Sequence, residues 1–153
     1  MKQYTSEHIK NVALAGHGNA GKTSLAEALL ILSGATDRLG KTSEGNTVCD
    51  FDAEEIRRVS SVSTAVAPLE YKNTKINLID TPGLFDFEGG FREGTRPAES
   101  VLICVSGKSG VSVGTEKAYE QATKNAKAHM FYVSKLDRES ADFYKVLEEL
   151  KST

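Results

Sequence analysis

The sequence predicts a three-layer α/β fold whose sheet is mostly parallel with one antiparallel edge strand. Short apolar runs alternate with longer amphipathic ones, as βα units do. A glycine-rich turn joins the first predicted strand to the first predicted helix. A proline, Pro68, sits inside one arm of a predicted hairpin and marks it as an edge.

The elements follow in order. Residues 12–15 (Val12, Ala13, Leu14, Ala15) read as a buried strand. A helix is predicted over 22–33, with Leu25, Ala28, Leu29 and Leu32 on one face and Gly34 as its stop. Residues 35–61 are polar and without a period, and a connection that long is uncommon unless it is functional or mobile. Residues 62–71 read as a strand, 72–74 as a turn and 76–79 as its antiparallel partner. Residues 82–94 contain Gly83, Gly89, Gly90 and Gly94 and read as a flexible loop running into a helix. A strand buried on both faces (101–105), a helix (115–127), a strand (130–133) and a helix (141–151) complete the chain.

Composition narrows the class. With 153 residues, 39% hydrophobic and 26% charged, the chain has ordinary globular composition for a single domain. A net charge of −2 supplies no overall basic field for nucleic acid. The N-terminal residues lack the apolar core of a signal peptide, and no run approaches the roughly 20 apolar residues of a membrane span. A reducing cytoplasm and no membrane partner are expected. Cys104 lies in the apolar run and reads as a buried thiol. Cys49 has no C-x-x-C neighbour, so neither zinc nor a disulfide is read. Nothing signals oligomerisation, and a monomer is expected.

Three segments carry chemistry, each at the carboxyl end of a predicted strand, where open α/β sheets bind ligands. Gly16, His17, Gly18, Asn19, Ala20, Gly21, Lys22 and Thr23 match G-x-x-x-x-G-K-[ST] in full, with Ser24 directly after. The strand before and helix after give the motif its context. Its glycines let backbone N–H groups turn around phosphate oxygens, and the helix start adds its positive end. Lys22 is placed to neutralise β- and γ-phosphates, and Thr23 to offer a hydroxyl to Mg²⁺. His17 reads as a loop residue whose side chain points away. The fold is therefore expected to be that of a P-loop NTPase.

The second segment is Asp80, Thr81, Pro82 and Gly83. A carboxylate ending that strand can hold Mg²⁺ through water, and Gly83 can bring its N–H close to a γ-phosphate. The third is Ser134, Lys135, Leu136 and Asp137. A carboxylate there can accept from guanine N1–H and N2–H₂, a pair that adenine lacks, so Asp137 excludes ATP. The stem of Lys135 can lie across the base or ribose. Taken alone, Asp137 ahead of Arg138, Glu139 and Ser140 reads better as a solvated helix cap than as a base-reading residue.

These three motifs in this order resemble the GTPase superfamily. The opening Ile9-Lys10-Asn11-Val12-Ala13, the segments Asp50-Phe51-Asp52 and Arg57-Arg58-Val59-Ser60-Ser61-Val62, and Asp86-Phe87 after the second motif are similar to translational GTPases of the elongation factor G type. The resemblance covers essentially the whole chain, as one GTP-binding domain over residues 1–153. It implies a six-stranded sheet with one antiparallel edge, GTP/GDP and Mg²⁺ as ligands, and the ribosome as partner of the full-length protein. Residues 35–61 then correspond to switch I and 80–96 to switch II. Ser61 stands where the family has a threonine that binds Mg²⁺ and senses the γ-phosphate. The resemblance thus makes Lys22, Gly83 and Ser61 catalytic and Thr23, Ser61 and Asp80 metal ligands.

Three departures from the family matter. Leu84 replaces the histidine that orients the attacking water, which predicts slow intrinsic hydrolysis or a mechanism that leans on backbone, metal and a partner. Ser134 replaces the asparagine of N-K-x-D, which predicts weaker guanine binding. The family's later base-backing segment has no counterpart, since Ser140-Ala141 lies too close to Asp137, so the domain is expected to be incomplete at its C-terminal end, without the final strand and helix. Competing readings are a GTP sensor with little hydrolysis, a ribosomal-protection or release-type relative, and an ATP-dependent P-loop protein, against which Asp137 speaks.

Overall fold

The structure is a computed structural model that describes residues 2–153. Its elements are β1 (Ile9–Ala15), α1 (Lys22–Leu32), α2 (Ala53–Arg58), β2 (Ala65–Tyr71), β3 (Thr74–Asp80), α3 (Glu88–Thr95), β4 (Ser100–Ser106), α4 (Val113–Lys124), β5 (Ala128–Ser134) and α5 (Phe143–Ser152). The strands form one sheet in the order β2-β3-β1-β4-β5. β1 runs parallel to β3 and β4, and β4 parallel to β5; β2 pairs antiparallel with β3. Pro68 lies in the edge strand β2, where a residue without an N–H is tolerated.

Pleating sorts the central strand between two cores. Successive side chains alternate faces, so Ala13 and Ala15 join Val101, Ile103, Val105, Ala118, Ala122 and Val146 on one side, beneath α3, α4 and α5. Leu14 points the other way and packs with Ala26 and Leu30 of α1 and with Cys49, Ala67, Leu69 and Leu78. Burying side chains such as Leu14 and Leu30 contributes about 1.5–3 kcal/mol each. Both cysteines are buried and free; burial pushes the Cys104 thiol up to about 12 and raises that of Cys49.

The expected architecture is present, and its boundaries differ for local reasons. Residues 35–61, expected to be irregular, contain α2. Asp52 caps it by accepting from the Glu54 N–H, and Glu55 reaches back to the Asp52 N–H. β2 starts at Ala65 rather than at 62 because the N–H groups of Val62 and Ser63 both donate to Glu55 Oε1, at 3.0 Å each. α4 stops at Lys124, not 127, where Ala126 turns to φ 50° and Lys127 N–H closes on the Ala122 carbonyl. α5 begins at Phe143, not 141, behind the cap of Asp142 on Lys145 N–H. The segment 82–94, expected as a flexible loop running into a helix, does run into one: a 3₁₀ turn, Phe85–Phe87, leads into α3.

The antiparallel hairpin brings two loops together. Ala65, the first residue of β2, lies opposite Asp80, the last of β3. Just before β2, the Thr64 hydroxyl donates to the Gly90 carbonyl of α3 at 2.7 Å. Among the described residues no helix is long and apolar enough to cross a membrane.

Candidate nucleotide site

The turn from β1 into α1 adopts backbone conformations that its residue types permit. Gly16 has φ 128° and Gly21 φ 90°, both in the region that favours glycine. At Gly16 a side chain would strike the Cys104 carbonyl of β4. Asn19 takes φ 62°, which asparagine tolerates better than most residues. Gly21 precedes α1 with no side-chain cap, so the first N–H groups of the helix are left for another acceptor.

Lys22 is only 6% exposed and donates to the carbonyls of Gly16 (3.2 Å) and His17 (3.0 Å). Burial lowers its pKa, while the nearby Asp80 charge acts in the opposite direction. Thr23 donates to Asp80 Oδ2 at 2.7 Å, and its hydroxyl lies 3.3 Å from that of Ser61. The other oxygen of Asp80 is buried without a partner, and burial pushes this carboxyl up to about 6 against the Thr23 hydrogen bond and the Lys22 charge. Asp50 also carries a buried, unpartnered oxygen, and burial raises its pKa.

Two hydroxyls and one carboxylate therefore converge, with a second orphaned carboxylate oxygen in the same cleft. Such a hard-oxygen set fits Mg²⁺, which binds few protein ligands and keeps several waters. Among the described residues no three His, Cys, Asp or Glu side chains gather to hold a metal by themselves.

Gly83 presses against the phosphate loop. A Cβ there would lie 2.7 Å from the Gly18 nitrogen and would strike Lys22 Nζ, so only glycine fits. Leu84 covers the loop from the same side, its Cδ2 2.8 Å from where a Gly18 Cβ would stand. Pro82 is buried beside Leu84 and Phe85 in a separate small cavity. Thr81 turns inward, its hydroxyl donating to the Leu14 carbonyl at 2.7 Å; it links β3 to β1 and faces away from the cleft. His17 also points away, with its ring 5.8 Å from that of Phe85 and its Nδ1 buried without a partner.

On the far side, Ser134 donates to the Ala20 carbonyl at 2.7 Å and lies 3.2 Å from that of Val105. Lys135, at φ 56°, enters the cleft. Asp137 does not: its side chain is 78% exposed and 3.6 Å from the Arg138 guanidinium.

The cleft is lined by Gly18, Asn19, Gly21, Lys22, Thr23, Ser24, Ser61, Gly83 and Lys135 from the predicted set. Thr42, Asp50, Val59 and Ser60 also line it, and sequence reasoning did not single them out as site residues. A signal existed for their placement. Asp52 followed by Glu55 is a capping-box spacing, which announces a helix just before Val59, Ser60 and Ser61.

The chain is 40% identical over 139 residues to an "elongation factor G-like protein" of Mycobacterium tuberculosis, covering 91% of this chain and 20% of that protein. It is 35% identical over 147 residues to the mitochondrial ribosome-releasing factor 2 of Anopheles gambiae, covering 96% and 20%. It thus spans about a fifth of the length of the curated relatives it matches. A crystal structure of a Thermus thermophilus protein superposes with a TM-score of 0.91 at 41% identity, over 95% of this chain and 22% of that one. A bacterial selenocysteine-specific elongation factor shares the fold, with a TM-score of 0.76 at 23% identity, over 94% and 23%. The model of the elongation factor Tu GTP binding domain matches residues 7–153, and the chain belongs to that family of translational GTPase domains.

Proposed function

We propose that this chain is the nucleotide switch of an elongation factor G-like protein, hydrolysing GTP with Mg²⁺ and acting on the ribosome through the full-length protein. The observation that carries the reading is the convergence of Lys22, Thr23, Ser61 and Gly83 on one cleft beside Lys135, with Asp80 buried directly behind Thr23 and bonded to its hydroxyl. Lys22 would leave the carbonyls of Gly16 and His17 for phosphate oxygens, and the uncapped start of α1 would supply backbone donors. Thr23, Ser61 and Asp80 would hold Mg²⁺, which when bound neutralises charge on the phosphates. Gly83 would offer its N–H to the γ-phosphate. Asp137, swinging in from solvent, would accept from the guanine edge, while Lys135 lies along the base.

The switch follows from where Ser61 and Gly83 sit. Each stands on a loop between elements, so the γ-phosphate orders both loops and its loss releases them. The names of two relatives, one elongation factor G-like and one ribosome-releasing, support the ribosome as partner.

A second reading, a GTP sensor with little hydrolysis, has one observation in its favour. Leu84 covers Gly18 with an apolar group at the position where the family's histidine orients water. Titrating the full chain with fluorescent GDP and ADP in the presence of Mg²⁺ tests the site: tight GDP binding with little ADP binding is expected, and equal binding would overturn the Asp137 role. Single-turnover hydrolysis with and without ribosomes then separates enzyme from sensor.

A further inference from the structure

Glu27 is a buried acid that the proposed chemistry does not use. It lies on α1, about one and a half turns beyond Lys22. It is 1% exposed. Both of its oxygens accept from backbone instead of a basic side chain: Oε2 from Gly40 N–H at 3.0 Å and Oε1 from Val48 N–H at 2.6 Å. A buried carboxylate is costly to desolvate, and charge-assisted hydrogen bonds are what offset it. An apolar side chain would pack as well here but could not hold two separate points of a loop.

The loop so held is closed on itself. The Arg38 guanidinium donates to the Asn46 carbonyl at 3.1 Å, and Lys41 N–H to Asn46 Oδ1 at 2.7 Å. Gly40 has room for nothing larger, since a Cβ would strike Glu27 Oε2 and lie 2.8 Å from the Thr47 Cα. Directly after Val48, Cys49 is buried against α1, and Asp50 N–H donates to the Thr47 hydroxyl at 3.2 Å. Thr42 and Asp50, inside and just beyond this arc, line the nucleotide cleft.

We propose that Glu27 is a positioning residue for GTP over GDP. It clamps residues 40–48 to the helix that carries Lys22 and Thr23, so that the arc moves with the phosphate site. Nucleotide-dependent opening of switch I is then confined to residues 51–61, which hold α2 and Ser61. The inference rests on the switch reading above. Without the clamp the whole loop must be ordered each time GTP binds, and GDP binding, which needs no ordered switch I, is spared.

The test uses the full chain as wild type, Glu27→Gln and Gly40→Ala. The second variant breaks the same clamp from the loop side if the first does not fold. Affinities for fluorescent GDP and for a non-hydrolysable fluorescent GTP analogue are measured with Mg²⁺, alongside tryptic cleavage after Lys41 and after Arg57 and Arg58. Wild type is expected to protect Lys41 with either nucleotide and Arg57 and Arg58 only with the analogue. Either variant is expected to cut faster at Lys41 and to bind the analogue about tenfold more weakly, the effect of losing one buried charge-assisted hydrogen bond, with GDP affinity retained. Variants that match wild type, or that weaken both nucleotides equally, would overturn the proposal. Wild type showing the same affinity and cleavage pattern with both nucleotides would instead overturn the switch reading, and this inference with it.

Discussion

The hydroxyl of Ser134 donates to the carbonyl of Ala20 at 2.7 Å, so the last residue of β5 is tied directly to the phosphate loop. The serine hydroxyl thus holds the loop in place from the end of β5. Ser134→Ala leaves a buried carbonyl without that partner, which costs about 1–3 kcal/mol. A lower melting temperature and weaker GDP binding are expected by thermal shift and titration. Ser134→Asn adds a second donor and is expected to tighten GDP binding; unchanged affinity would mean that the hydroxyl already supplies all that this position gives.

Two buried acids, Asp50 on the cleft wall and Asp80 behind it, predict a pH dependence. Burial raises the carboxyl of Asp80 from 3.8 to about 6 and raises Asp50 in the same direction. A folded-state pKa above the unfolded one means that the folded chain holds more protons. Stability of the nucleotide- and metal-free chain is therefore full below about pH 4 for these groups and falls as pH rises through about 6, by on the order of 3 kcal/mol for Asp80. Urea melts from pH 4 to 7 measure this. Asp80→Asn is expected to flatten the profile, and saturating Mg²⁺ with GDP to do the same by compensating the charge.

Val59 sits at φ 52° at the end of α2, on the wall of the cleft. A β-branched residue in that region is strained, by about 1–3 kcal/mol. Val59→Asn relieves the strain without the chain entropy that glycine would add. It is expected to stabilise the ordered loop and tighten binding of a GTP analogue relative to GDP. Equal affinities for wild type and variant would show that the loop already meets the strain elsewhere.

Leu84 offers no hydrogen bond to a water near Gly18. Leu84→His supplies one and is expected to raise single-turnover GTP hydrolysis by at least about tenfold, the lower side of what a positioned imidazole contributes. If the rate does not move while GTP binding holds, water positioning in this chain depends on other groups.

Motif spacing made the phosphate loop, Asp80 and Gly83 legible, because backbone geometry there admits few residue types. The sheet was legible for the same kind of reason: apolar runs and Pro68 leave little choice of pairing. Residues 35–61 were not. Their order comes from two buried acids, Glu27 and Glu55, whose partners are backbone N–H groups that carry no residue identity. Asp50 stood out only through a resemblance, and nothing in its neighbours announced a buried, unpartnered oxygen. Asp137 shows the converse, a motif residue whose carboxylate stands in solvent, outside the cleft.

The pairing of Ala65 with Asp80 couples the two loops mechanically in series. One strand carries the chain out of the loop that ends in Ser61, and its partner delivers it into the loop that begins at Thr81. With Thr64 bonded to Gly90 across the gap, a pull on either loop is felt at the root of the other. A slip of the hairpin by a single residue would turn Asp80 away from Thr23 while leaving every motif intact in the sequence. In the switch proposed above, timing would therefore reside as much in the stiffness of an edge hairpin as in the residues around the cleft.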